Sequence, residues 1–347
     1  MSLDKIGVTS NEKRGITVAG NLITDIVKNI DGYPSIGMLA NISSVSKAVG
    51  GCAANTAIDL SKIDRSLQIS VAGCIGEDEY GRFILSELET NAIDTGRIRR
   101  TNEAPTSFSD VMSMPSGERT FFHARGANAL FCPDDIDVSG LSCSILHIGY
   151  ILLLDRFDRS DDEYGTVMAR CLKQVREQGI KTSIDVVSES SADYPSKIIP
   201  ALKYSNYVII NEIECCNIWG INPRKEDGSL DVTAIETALR KTMDCGVEDK
   251  VIVHSKEAGF CLSRDGAFAV VPSLKIPSEE IKGSVGAGDA FCAGSLYGIY
   301  NNFSDREILE FASAAAACNL FSENAVDGMR SYPEICNLAK TYPRRDM

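Results

Sequence analysis

The chain has 347 residues, enough for one large α/β unit or about two domains of ordinary size. Hydrophobic residues make up 44% and charged residues 24%, which supplies a sizeable core and excludes global disorder. With 35 Lys and Arg against 48 Asp and Glu the net charge is −13, which argues against nucleic acid or an anionic membrane as main partner, since both need a cationic face. Residues 1–14 are polar, lack a signal-peptide core and read as a frayed arm, so the expected location is the cytoplasm. Short β-rich runs follow at 16–20 and 68–73, with helical patterns at 53–62 and 80–91. Strands are expected again at 144–149, 180–186, 207–211 and 250–255, and helices at 162–178, 232–245, 286–300 and 304–321. Gly179 is a helix stop, and Ser304 with Glu307 makes a capping box. Two segments, 23–46 and 107–123, alternate like β-strands without a crossover helix, with turn signals at Asp31-Gly32 and Pro115-Ser116-Gly117. They read as an antiparallel β lid inserted on the main sheet.

Strands alternating with helices of this length mean βαβ units and an α/β, doubly wound, mostly parallel sheet flanked by helices. No repeat, linker or low-complexity tract divides the chain, so a single domain over 15–340 is expected. No run approaches the ~20 apolar residues of a membrane span. The 12 cysteines are scattered through apolar segments and read as reduced core thiols. With three histidines, His123, His147 and His254, and no C-x-x-C or H-E-x-x-H spacing, a zinc site is not expected.

Four local patterns carry chemistry. Gly286-Ala287-Gly288-Asp289 opens a helix of small residues, where uncovered N–H groups and the helix dipole favour an anion. The same stretch is also readable as a plain glycine turn with Asp289 compensating the dipole. It is neither a dinucleotide fingerprint, because Phe291 stands where Gly or Ala is required, nor a Walker A loop, because no G-K-[ST] occurs. Gly50-Gly51 with Asn55 opens the first helix, either as a close approach to a ligand or as a tight strand–helix turn. Asp25, just after the first strand, suits a polyol because an ionised carboxylate accepts from paired hydroxyls, and equally suits a surface turn. Asn211 and Glu214 follow a strand and fit either a hydrated Mg2+ or a helix cap with acidic first-turn residues.

In this order the motifs resemble the ribokinase-like (PfkB) carbohydrate kinases along nearly the whole chain. The resemblance rests on Gly20 with Asp25, Gly50-Gly51 with Asn55, and Gly73, Gly76, Asp78 and Gly81. Ala104-Pro105-Thr106, Gly117 to Phe121, Gly126-Ala127-Asn128, Asn211 with Glu214, and Gly286 to Asp289 continue it. It implies an ATP-dependent, Mg2+-requiring kinase of a sugar or sugar derivative. Asp289 would take the proton from the acceptor hydroxyl, while the amides of Gly286, Ala287 and Gly288 form the anion hole. Asp25, Gly50, Gly51 and Asn55 would hold the sugar, and Asn211 with Glu214 would order the water shell of the Mg2+. The adenine would lie between the loop from Lys256 to Gly259 and the helix segment from Ala314 to Asn319, with Ser284 also near the nucleotide. The lid would close over the sugar and exclude water, and paired lids would make a homodimer.

Some positions depart from the family pattern. Gly283-Ser284-Val285 replaces the acidic residue and threonine usual before the glycine motif, which leaves activation by a monovalent cation such as potassium doubtful. Lys256 stands where a glycine is common, as a phosphate contact or a solvated loop lysine. Arg119 and Arg125 either read an anionic group on the substrate or serve a hairpin ion pair with Glu118 and a turn cap. The alternative within the fold is a nucleoside kinase, for which Tyr33, Phe108 and Phe121 would line the base. The alternative outside catalysis is a sugar-binding regulator that has lost turnover.

Overall fold

The protein is described by a computed structural model over residues 14–114, 118–188 and 193–346. The first strands are β1 (Ile16–Gly20), β2 (Ile23–Ile30), β3 (Ile42–Gly50), β4 (Ile69–Gly76) and β5 (Asp94–Thr101). They are followed by β6 (Phe108–Ser113), β7 (Arg119–Ala124), β8 (Ile145–Ile151) and the two-residue strands β9 (Ser160–Asp161) and β10 (Gly165–Thr166). The last are β11 (Lys181–Val186), β12 (Tyr207–Asn211), β13 (Lys250–His254), β14 (Ala258–Ser263) and β15 (Phe268–Pro272). Helices run in the order α1 (Cys52–Ile63), α2 (Glu79–Thr90), α3 (Pro133–Ile136), α4 (Val167–Glu177) and α5 (Tyr194–Leu202). Then come α6 (Glu212–Asn217), α7 (Val232–Asp244), α8 (Ala287–Tyr300), α9 (Asp305–Asn319) and α10 (Tyr332–Thr341).

Nine strands form the main sheet in the order β15-β14-β13-β12-β11-β8-β1-β4-β5. From β12 to β5 neighbours are parallel, and β13 is parallel to β12; only the β13-β14-β15 edge is antiparallel. Both faces are covered, which explains why β1, β8 and β12 are mostly apolar and buried along nearly their whole length. Ile16 and Val18 pack toward α1, α8 and α9 on one side. Leu146 and Ile148 pack toward α4, α5 and α7 on the other. Chain order reverses at β1, with β4 on one side and β8 on the other, so a crevice opens beyond the carboxyl ends of these strands.

The lid stands over that crevice as a second sheet, β3-β2-β6-β7. Its two hairpin pairs are antiparallel as the sequence suggests, but β2 and β6 join them side by side in parallel. Only Asn21 and Leu22 separate β1 from β2, and Asn128 grips Leu22 at both N–H (3.1 Å) and carbonyl (3.2 Å). The lid is thereby rooted in the main sheet. Asp31 accepts from the Asn41 amide and side chain across the long β2–β3 connection. The turn expected at 115–117, like most of the arm at 1–14, falls outside the described residues.

The helix expected over 162–178 begins instead at Val167. Gly165 is left-handed (φ +83°), which no helix accommodates, and Thr166 caps the helix by accepting from Ala169 N–H. All 12 cysteines are free thiols. No helix among the described residues is long and apolar enough to cross a membrane.

Candidate active site

A cleft of about 430 Å³ lies where the lid overhangs the carboxyl ends of β1, β8, β11, β12 and β13. It gathers Asp25, Gly51, Asn55, Asn211, Glu214, Gly286, Gly288 and Asp289, which come from four separate stretches of chain. Its floor is held by Asn21, which accepts from Tyr150 N–H at 2.8 Å and donates to the Leu153 carbonyl at 3.2 Å.

Gly286 caps α8 in the left-handed region (φ +77°), and a side chain there would meet the Ala325 backbone at 2.5 Å. Only glycine makes this turn, and the turn aims the start of α8 into the cleft. The N–H groups of its first residues precede any acceptor four positions back, so those of Gly288 and Asp289 point to the ligand side. That of Ala287 faces the Ser284 carbonyl at 3.3 Å. Asp289 stands in this first turn, 7% exposed. Asn55 donates to its Oδ2 at 2.9 Å and the Tyr150 hydroxyl donates to its Oδ1 at 2.7 Å. Burial raises the Asp289 pKa above the ordinary carboxylate value, and the two donors oppose the rise.

Asp25 sits on β2 at the opposite wall. Burial carries its pKa up to about 6, against the hydrogen bond from Ser109, with the Asp289 charge pushing the same way as burial. Gly50 lies directly behind Asp25, where a Cβ would come within 2.3 Å of the carboxylate. Gly51 is left-handed (φ +87°) and brings α1 against the Asn21 carbonyl. Asn55, one turn into α1, has its Oδ1 buried with no hydrogen-bond partner among the described residues. A buried orphan acceptor facing the cleft is suited to a ligand hydroxyl.

At the third wall Asn211 and Glu214 form a capping box: Asn211 Oδ1 accepts from Glu214 N–H at 2.8 Å, and Glu214 Oε2 accepts from Asn211 N–H at 2.9 Å. Ser188 donates to Glu214 Oε1 at 2.8 Å. The helix-cap reading is what the structure shows, and the capped residues also line the cleft. Burial lifts the Glu214 pKa to about 7, and the neighbouring Asp185 is raised well above its usual range by burial and by the Glu214 charge. Two neighbouring desolvated acids are donors of the kind a divalent cation and its waters take.

Other expected residues lie elsewhere. The Arg125 guanidinium donates to the Leu152 carbonyl (3.2 Å) and the Asp155 carboxylate (2.6 Å), so it fastens the loop after β8, and it is not among the residues lining the cleft. Gly259 lies within β14, buried and packed against Phe291 and Leu309. Lys256 is exposed in the β13–β14 loop. Ser284 lines a neighbouring cavity of about 640 Å³ together with Arg119, which donates to the Glu323 carbonyl. Asn319 donates to the Val285 carbonyl at 2.7 Å and so braces the loop before Gly286. Tyr150, Asp185 and His254 line the cleft and were not singled out from sequence. Asp185 and His254 end strands just as Asn211 does, and that position was the available signal. The His254 ring packs on Phe291, and burial holds its pKa down at about 4.

Residues 13–331 match the family described as pfkB family carbohydrate kinase. The chain belongs to this family and is a phosphotransferase. The fructokinase-1 of Zea mays is 25% identical over 334 residues, covering 92% of this chain and 95% of the relative. The 5-dehydro-2-deoxygluconokinase of Geobacillus thermodenitrificans is 24% identical, covering 84% of this chain and 83% of its own length. The structure of Arabidopsis thaliana ribokinase complexed with ribose and ATP superposes with a TM-score of 0.76 at 21% identity, covering 94% of this chain and 99% of that one. The fold is that of the ribokinases, and the class is a carbohydrate kinase of ribokinase, fructokinase or deoxygluconokinase type.

The crowded acids set a pH dependence. A carboxyl whose folded pKa is raised binds more protons folded than unfolded, so stability falls as pH climbs from its ordinary value through the raised one. The buried histidines His147 and His254, lowered to about 3 and 4, act oppositely, but only below their ordinary value of 6.5. Above that, Glu214, lifted to about 7, dominates, and burial raises Asp185 and Asp59 well above their ordinary value in the same direction. The thermal midpoint of the ligand-free protein is expected to fall between about pH 6.5 and pH 8. Glu214→Gln should make the decline shallower in the same calorimetric series.

Proposed function

We propose that this kinase transfers the terminal phosphoryl group of ATP to a hydroxyl of a free sugar or sugar acid bound beneath the lid. The observation that carries this reading is the meeting of Asp25, Asn55 and Asp289 in one cleft at the N-terminus of α8. Asp25 and the free acceptor of Asn55 are placed to take hydrogen bonds from sugar hydroxyls. Asp289 takes the proton of the attacking hydroxyl, and the first amides of α8 face the charge that develops on the transferred group. Phosphoryl transfer asks the protein mainly for positioning and charge stabilisation, which this arrangement supplies. ATP as donor is supported by the Arabidopsis thaliana ribokinase fold neighbour, solved with ribose and ATP. Asn211, Glu214 and Asp185 would hold a Mg2+ through its waters, and that ion would neutralise charge on the phosphates.

A nucleoside acceptor is less well supported. Of the three aromatics that would line a base, only Phe121 borders the cleft; Phe108 packs on Tyr80 with ring centroids 5.8 Å apart, and Tyr33 stands on the outer β2–β3 connection. The catalytic constellation also speaks against a regulator without turnover, since Asp289 and the glycines before it are intact. The chain is read as one kinase domain over 15–340, working in the cytoplasm.

The lid also supports a homodimer. Its outermost strand β3 leaves a sheet edge unpaired, and Met38, Leu39, Ile42 and Val45 on and before it are 50–82% exposed. A second copy pairing through this edge would cover them. Sedimentation at micromolar concentration should give a dimer, and Val45→Lys should shift it to monomer; a wild-type monomer with full activity would remove this part.

For the reaction, ADP release is measured with ribose, fructose, 2-keto-3-deoxygluconate, adenosine and inosine as acceptors. A sugar or sugar acid is expected to turn over best, and a nucleoside doing so would overturn the acceptor class. With that acceptor, Asp289→Asn should lower kcat by about 10²- to 10⁴-fold while circular dichroism stays unchanged. Near-normal turnover would mean that Asp289 is not the base.

A further inference from the structure

One helical turn beyond Asp289, beneath the floor of the cleft and next to Asp185, lie two side chains that the kinase reading does not use. Cys292 of α8 places its Sγ 3.5 Å from Nε2 of His147 on β8. One donor atom each from His147, Cys292 and Asp185 lie within 4.8 Å of one another. His147 and Cys292 are 0% and 1% exposed, whereas Asp185 reaches the cleft. Strand register makes His147 the direct neighbour of Ser183, whose hydroxyl lies 2.9 Å from Nδ1. That contact occupies one ring nitrogen and turns the other toward the thiol, the way a metal-binding imidazole is oriented from behind. The charges acting on Asp185 are those of Glu214 and Asp289, both acidic. Cys52 adds a further thiol alongside, since a Cβ at Gly149 would meet both its Sγ (3.2 Å) and the Asp185 Cβ (2.9 Å).

A thiol, an imidazole and a carboxylate in an acidic surround are the donors of Zn2+ and Co2+; Mg2+ wants oxygen alone. We infer that His147, Asp185 and Cys292 form a binding site for a thiophilic divalent cation of the Zn2+ class, reached from the cleft past Asp185. The metal–sulfur bond forms as the Cys292 S–H bond breaks, with its proton leaving to solvent. Three protein ligands leave a fourth position, which water or Cys52 fills. The spacing rules of the sequence miss this site because its ligands come from two strands and a helix that are far apart in the chain.

Zn2+ is spectroscopically silent, so the reduced, chelator-treated full chain is titrated with Co2+. The expected result is saturation at one equivalent, with a sulfur-to-cobalt charge-transfer band that Zn2+ abolishes. Cys292→Ser should lose the band. A triple variant replacing the partly exposed Cys132, Cys245 and Cys336 with Ser should keep it, excluding adventitious surface thiolates. No band in the folded wild type, a band that survives in Cys292→Ser, or one lost in the triple variant overturns the site. If Cys292→Ser does not fold, zinc-edge X-ray absorption of the wild-type protein decides: mixed sulfur and imidazole ligation supports the site, and oxygen-only or sulfur-only ligation refutes it. None of these readouts depends on phosphotransfer.

Discussion

Everything around the cleft turns on keeping one carboxylate, that of Asp289, out of water without leaving it unpaired. Burial disfavours its charge, and an isolated buried carboxylate would simply take up a proton. Asn55 and Tyr150 each give it one hydrogen bond, from a helix and from a strand that approach along different routes. Both donors must be in register with α8, which ties the packing of α1 on α8 and the position of β8 to this one group. The pKa nonetheless stays raised, so the donors offset the desolvation only in part. An acid balanced in this way is a better proton acceptor than one held in a tight salt bridge, since its basicity has not been spent on a cation.

The second constraint is the polarity of the sheet. Parallel strands bring their carboxyl ends to one edge, and the reversal of chain order at β1 opens a crevice there. Asp25, Asp185, Asn211 and His254 all stand at or just past strand ends on that edge. The lid departs from the same edge after two residues and is anchored by Asn128, so whatever is bound at the strand ends lies beneath it. Water excluded from such a site cannot compete with a substrate hydroxyl for the phosphoryl group.

How far this was legible in the sequence depends on whether the information was local. Runs such as Tyr207–Asn211, buried on both faces, announce strands without ambiguity. Gly286 to Asp289, and Gly51 with Asn55, are short patterns whose backbone demands can be read in place. Asp25, Asn211 and Glu214 followed from their positions after strands, and all of these residues line the one cleft. Tyr150 and Asp185 escaped because their meaning comes from partners that only the fold brings near, Asp289 for Tyr150 and both Glu214 and Asp289 for Asp185. The ligand role of Arg125 was read from its residue type and that of Gly259 from the resemblance, and neither reading could see the Asp155 carboxylate or the α8–α9 packing that these residues meet in the fold. The helix before Val167 failed for a local reason that was visible, the glycine at 165.

The central claim is that Asp289 is a desolvated carboxyl held ready by two neutral donors. It is tested most directly by following that side-chain carboxyl by carbon NMR as pH is varied in the ligand-free protein, with Asp289→Asn to assign the signal. The account predicts a midpoint above the ordinary aspartate value of 3.8, moving further up in Tyr150→Phe as one opposing donor is lost. A midpoint at or below that ordinary value, or one that Tyr150→Phe leaves in place, would contradict it.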